Sequence, residues 1–269
     1  MAGLSAATSR FLAQHPVFRL AEFRTELGEG RSPVTVRNRL RQFLASGRLR
    51  LVSPGVYAVT PPGENARAFT PDPLLVASRL ARDSVLAYHS AFEALGFANQ
   101  VFTQVTYLTA GHRGTRLLDA HTFVALPPPR PLGDEWGDLG IETVWRQGLA
   151  LRTTRRERTL VDCLDRPRYS GGLEEVFACV SSVPSLDSDL LASYLAALGS
   201  PTLYARTGFV LQRFANRLLV EQQLLERLAI HLPKAPAYLL RREPGNVLVP
   251  GWRLLVPPAL IRDEESPLR

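Results

Sequence analysis

Arg31, Thr35, Asn38 and Gln42 follow one another at spacings of four, three and four residues. Projected at about 100° per residue, they fall on one face of a helix. A guanidinium, a hydroxyl and two amides in one row suit paired hydrogen bonds to base edges, Arg to guanine and Asn or Gln to adenine. Arg41 flanks that row, and Arg37 and Arg39 lie on its two shoulders. There they suit phosphate contacts, which position a protein without reading sequence. Val36, Leu40, Phe43 and Leu44 occupy the far side within about 100° of one another, an apolar stripe that must face a core. Arg48 and Arg50 come just after and are expected to reach the neighbouring backbone or the minor groove. The plainer reading is a solvated Arg-rich face with no ligand at all.

Stepping outward along the chain, the elements needed to hold such a helix are legible. Ser5 to Gln14 has the pattern of a first helix, Phe18 to Leu20 of a short extended piece, and Ala21 to Leu27 of a second helix capped by Gly28. Ser32-Pro33 opens the third helix, since Ser caps well and Pro fits the first helical position. It is expected to run to about Ser46, with Gly47 ending it. Arg48 to Val52 and Val56 to Thr60 read as strands around a Ser53-Pro54-Gly55 turn. Three helices followed by a small hairpin is the winged helix-turn-helix order. Some modules of this kind bind protein instead of DNA.

Charge supports the nucleic-acid reading. The chain carries +7 at neutral pH with a pI near 10. Residues 1–60 hold nine arginines against three acids, whereas the remaining residues nearly balance, 23 basic to 22 acidic. A compact basic module points to a polyanion partner.

Pro61 to Asn65 reads as a linker, so the expected organisation is a winged helix over 1–62, a linker over 63–68 and a second domain over 69–269. In that domain, helices are expected from Asp72-Pro73 to Ala81 and over Leu86 to Leu95. Strands are expected over Val101 to Thr109, Thr122 to Leu126, Ile141 to Trp145 and Leu149 to Arg152, with a proline-rich loop over Pro127 to Pro131. Thr154 and Glu157 have the spacing of a capping box heading a helix to Leu164. Further helices are expected near Leu173–Val180, Asp187–Leu198, Pro201–Phe214 and Glu221–Ile230. A strand over Trp252 to Val256 and a frayed tail over 262–269 follow. The fold class is therefore α+β, with a mixed α/β second domain whose C-terminal half is helical.

That domain carries no coherent catalytic set. A nucleotidyltransferase needs Gly-Ser followed about ten residues later by an acid-x-acid pair; after Gly199-Ser200 no acid appears until Glu221, and Asp187-Ser188-Asp189 precedes it. The lone lysine, Lys234, sits in no phosphate loop. His15, His89, His112, His121 and His231 show no metal-ligand spacing, so neither a metal nor a cofactor is expected. His89 is worth watching, though a helix histidine satisfied by a hydrogen bond is the plainer reading. Asp162 and Asp165 are expected to pair with Arg155, Arg158 or Arg166, and Glu174-Glu175 to favour a helix start through its dipole. Cys163 and Cys179 read as buried thiols. The absence of an apolar run long enough to span a bilayer, and of a secretory pattern at the N-terminus, points to the cytoplasm and to no membrane partner.

Three stretches resemble the AbiEi-like antitoxins of type IV toxin–antitoxin (abortive infection) systems, which act in phage defence: VRNRLRQFLASGRLRLVSPGVYAV, LAYHSAFEALGF and TTRRERTLVDCLDRPRYSGGLEEV, the last being the most specific. The resemblance implies a transcriptional autoregulator whose winged helix binds promoter inverted repeats in double-stranded DNA. It also implies a C-terminal domain that counteracts a nucleotidyltransferase-like toxin. It carries no catalytic residues with it. The competing expectation is a nucleic-acid-processing enzyme fused to a winged helix.

Overall fold

The computed structural model describes residues 6–28 and 32–262. In chain order, the first elements are α1 (Ala6–Gln14), β1 (Val17–Arg19), α2 (Leu20–Gly28), α3 (Pro33–Ala45), β2 (Leu49–Ser53) and β3 (Val56–Val59). Then come α4 (Pro73–Leu80), β4 (Val85–Leu86), α5 (His89–Leu95), β5 (Gln104–Leu108), β6 (Gly114–Leu118), β7 (His121–Leu126), β8 (Ile141–Arg146) and β9 (Leu149–Thr154). The rest is α6 (Arg156–Asp165), α7 (Leu173–Ser182), α8 (Ser188–Leu198), α9 (Pro201–Arg213), α10 (Ala215–Leu218), α11 (Gln222–Ala229), β10 (Ala237–Tyr238), β11 (Val247–Val249), β12 (Leu254–Val256) and α12 (Pro258–Arg262). The architecture is mixed α+β. Among the described residues no helix is long and apolar enough to cross a membrane.

Local chemistry explains the N-terminal elements. Glu22 accepts a hydrogen bond from the Arg19 backbone N–H at 2.6 Å, which seats the first turn of α2. Ser32 caps α3 by accepting from the Thr35 N–H, with Pro33 in the first turn. Gly47 then takes a φ of 70°, the left-handed conformation that lets the chain leave the helix for β2. Pro54 and Gly55, the latter at φ 79°, make the tight turn of the β2–β3 hairpin. β1 pairs antiparallel with the far edge of β3, giving a three-stranded sheet of order β1-β3-β2. The core beneath it is aromatic: Phe11, Phe18 and Phe23 are buried with Val36, Leu40, Phe43 and Leu49. The three rings meet at centroid distances of 5.1 to 5.5 Å. Deleting one such side chain costs about 3–5 kcal/mol.

The chain divides into two compact units, and the division departs from the expected one. The first comprises residues 1–86, 102–127 and 142–153; the second comprises 87–101, 128–141 and 154–269. The N-terminal elements therefore belong with α4 and the six-stranded sheet, of order β6-β7-β5-β4-β9-β8, and residues 61–68 do not separate two domains. The reason is a set of specific ties. Arg79 pairs with Glu22 at 3.2 Å, Arg116 donates to the Ser53 hydroxyl at 2.6 Å, and Arg50 binds the Phe69 carbonyl and Asp119.

Smaller corrections have local causes. The run Leu86 to Leu95 is not one helix: Leu86 pairs in the sheet, and Tyr88, at φ 57° and ψ −139°, breaks the chain before α5 starts at His89. Edge strand β6 escaped notice because Gly114 to Leu117 are exposed and show no apolar face. The N-cap of α6 is Arg155, not Thr154 where the capping-box spacing puts it. Thr154 ends β9 and its hydroxyl meets that of Thr159 at 2.6 Å, while Glu157 accepts from the Asp187 backbone N–H at 2.8 Å. Gly28 lies within α2 rather than after it. Arg130–Gly137, placed in part in a loop, forms 3₁₀ turns. In the second unit, the helices expected from Asp187 and from Pro201 form as α8 and α9, and β12 pairs between β10 and β11. The tail from 263 onward lies outside the described residues.

Candidate nucleic-acid interface

The apolar stripe of α3 turns inward as its spacing requires: Val36, Leu40 and Phe43 are buried and Leu44 packs against them. The opposite face is left to solvent. Thr35, Arg37, Asn38, Arg41 and Gln42 are exposed, and Arg39 is half-buried. Thr35 also belongs to the helix start, its hydroxyl lying 3.0 Å from that of Ser32. Within the described residues, the side chains of Arg37, Asn38, Arg41 and Gln42 are engaged by no hydrogen bond or ion pair. Arg31 lies outside the described residues, so the row begins at Thr35.

The structure adds one arginine to the set and takes one away. Arg24, exposed on α2, lines a groove with Arg37 and Arg41, floored by Leu20, Leu40 and Tyr57. Three arginines from two helices line it. Sequence reasoning missed Arg24 because α3 was projected alone, and the neighbouring α2 that brings Arg24 to this groove was not projected with it. Arg50 leaves the set. It is half-buried and its guanidinium is committed to Asp119 and the Phe69 carbonyl. Arg48, just before β2, stays exposed. Strand alternation does not explain the split, since residues two apart share a face; the decisive factor is that an acid, Asp119, sits within reach of Arg50.

Most of the titratable groups singled out in the second unit are buried and committed to one another, Asp165 and Arg166 being the more exposed pair. Asp162 accepts a hydrogen bond from the Tyr194 hydroxyl and lies 3.6 Å from Arg158 Nε. Burial pushes its carboxyl up, while Arg158 and Tyr194 pull it back down. Arg158 is fully buried and donates to the Trp136 and Leu139 carbonyls, both at 2.7 Å. Asp165 pairs instead with Arg166 at 3.2 Å. Glu174 and Glu175 both lie in the first turn of α7, as expected, and Glu175 is in addition buried and meets His89 Nε2 at 3.1 Å. Cys163 and Cys179 are buried free thiols, as expected.

No protein-family model matches the chain, and no curated protein does. Among solved structures, the chain is similar to the RV2827C protein from Mycobacterium tuberculosis. The TM-score is 0.59 at 22% identity, covering 92% of this chain and 89% of that one. The two share a fold over nearly their full lengths.

Proposed function

We propose that the N-terminal elements form a winged helix-turn-helix that binds double-stranded DNA, with α3 as the recognition helix and the β2–β3 hairpin as the wing. One observation carries this reading: a capped helix presents Thr35, Asn38 and Gln42 to solvent between exposed arginines, with none of its long polar side chains tied to the rest of the fold. Free arginines near the helix supply phosphate contacts, and the amides supply base contacts. Arg24, Arg37 and Arg41 extend the cationic surface onto α2.

Taken with the resemblance to AbiEi-like antitoxins, the function is that of a cytoplasmic transcriptional autoregulator. It represses its own operon at promoter inverted repeats and counteracts a nucleotidyltransferase-like toxin. No catalytic residue is assigned. The tests use the full chain, because the ties through Arg50, Arg79 and Arg116 join the N-terminal elements to the sheet. Selection from a random duplex library should yield an inverted repeat, and that repeat should occur upstream of the chain's own gene. Recovery of no preferred sequence would overturn sequence-specific binding. Co-expression with the adjacent gene product, scored for growth, tests the antitoxin role; failure to rescue from an active neighbour toxin would remove it.

A further inference from the structure

Glu175 is the most heavily used carboxylate in the second unit, yet it is used on one side only. Its Oε1 accepts from His89 Nε2 at 3.1 Å, from the backbone N–H groups of Asn99 and Gln100 at 3.3 and 3.1 Å, and from the Cys179 thiol at 3.4 Å. Its Oε2 is buried and has no hydrogen-bond partner among the described residues. The residue is only 4% exposed, so water does not readily satisfy that oxygen. Buried polar atoms without partners are rare and ask for a reason. Around it, the ligand atoms of His89, Glu175 and Cys179 all lie within 4.8 Å of one another, and all three residues are buried.

We propose that His89, Glu175 and Cys179 form a buried zinc site, with imidazole Nε2, the Cys179 thiolate and both oxygens of Glu175 as donor atoms. The donor chemistry is that of zinc, which takes imidazole, thiolate and carboxylate together. So is the spacing. Zinc about 2.0 Å from nitrogen or oxygen and about 2.3 Å from sulfur sets neighbouring tetrahedral donors roughly 3.3–3.5 Å apart, against 3.1 Å from His89 to Glu175 and 3.4 Å from Cys179 to Glu175. Charge agrees as well: one carboxylate and one thiolate neutralise a divalent cation where solvent is excluded. The bare Oε2 becomes the second contact of a bidentate grip. The Asn99 and Gln100 amides then hold the carboxylate in place from outside, as partners of metal ligands do.

The backbone sets up the cluster. Tyr88 takes its strained conformation just before His89, and its ring lies 5.3 Å from that of Tyr169, so α5 starts with the imidazole inside the unit. Glu175 and Cys179 are one turn apart on α7 and share a face. A metal takes the thiolate and the neutral imidazole, so zinc binding releases the Cys179 thiol proton to solvent.

The test uses untagged full-length protein from cells grown with added zinc, analysed for metal by mass spectrometry. The expected result is about one zinc per chain, with a zinc-edge X-ray absorption spectrum showing a single sulfur neighbour. Protein from cobalt-supplemented cells should show a thiolate-to-cobalt charge-transfer band. Cys179→Ser should abolish that band, and Cys163→Ser should keep it. Should Cys179→Ser fail to fold, the wild-type absorption spectrum decides alone. Metal-free protein as isolated, a spectrum with no sulfur or two sulfurs, or a band that survives Cys179→Ser would each overturn the site.

Discussion

On α3 the polar side chains point at solvent, whereas in the second unit Glu157, Arg158, Asp162 and Glu175 are drawn into the core. The two arrangements have opposite energetic meanings. An exposed amide or guanidinium costs the fold almost nothing and stays available to a partner; truncating it changes stability by about 0.5 kcal/mol or less. A buried charge has lost its water and must be held by neighbours, so removing one neighbour strands the other. A polar residue's burial and engagement therefore say whether it belongs to a partner or to the fold. The contrast yields predictions in which binding and stability separate.

The largest effect should appear in binding. If about five to eight phosphates are neutralised, log K against log salt should slope roughly −4 to −7, a loss of two to four decades between about 50 and 200 mM salt. Fluorescence anisotropy with a labelled duplex measures this directly. A flat dependence would remove DNA from the exposed face. On the other side of the contrast, Asp162→Ala strips Arg158 and the Tyr194 hydroxyl of their shared carboxylate. Urea unfolding should show a loss of about 3–5 kcal/mol, with DNA affinity unchanged per folded molecule. Wild-type stability in that variant would mean that Trp136 and Leu139, whose carbonyls Arg158 also meets, suffice to hold it.

The same contrast explains what could be read from sequence. The α3 face was legible because a surface helix obeys one period, and Val36, Leu40 and Phe43 had only to point one way. Helix ends marked by Ser32 and Gly47 were legible because each signal is local. The partners of Arg50 and Glu175 were not. Asp119 lies 69 residues from Arg50, and His89 lies 86 from Glu175. No local rule brings them together. The domain boundary failed for a related reason: a Pro-Gly stretch signals a turn, but whether it separates domains depends on contacts such as Arg79 with Glu22 that form only in the fold.

A smaller effect tests how α3 sits on DNA. Asn38→Ala and Gln42→Ala should weaken the selected repeat over random DNA by about 1–3 kcal/mol each, while leaving the unfolding midpoint in place. Arg37→Ala should weaken both kinds of DNA by similar factors. An unchanged specific-to-random ratio in Asn38→Ala would mean that another face of the helix enters the groove.

The smallest effects separate two arginines that sequence treats alike. Arg48 and Arg50 sit two apart on or beside β2, and both were expected to contact DNA. Arg48 is exposed, whereas Arg50 is held by Asp119 and the Phe69 carbonyl. Arg48→Ala should weaken specific and random DNA evenly and make the salt slope shallower by about 1, without changing stability. Arg50→Ala should leave affinity and slope unchanged and lower stability by about 1 kcal/mol or less, as for a partly solvated ion pair. Asp119→Ala gives the deciding comparison. It frees Arg50, so a hairpin lying against DNA should gain one phosphate contact and a slope steeper by about 1. If Asp119→Ala left the slope unchanged while Arg48→Ala were also silent, the hairpin would lie off the duplex, and α2 and α3 alone would carry the contact. If Arg50→Ala by itself reduced affinity, the pairing with Asp119 would give way on binding, and Arg50 would return to the DNA-contacting set.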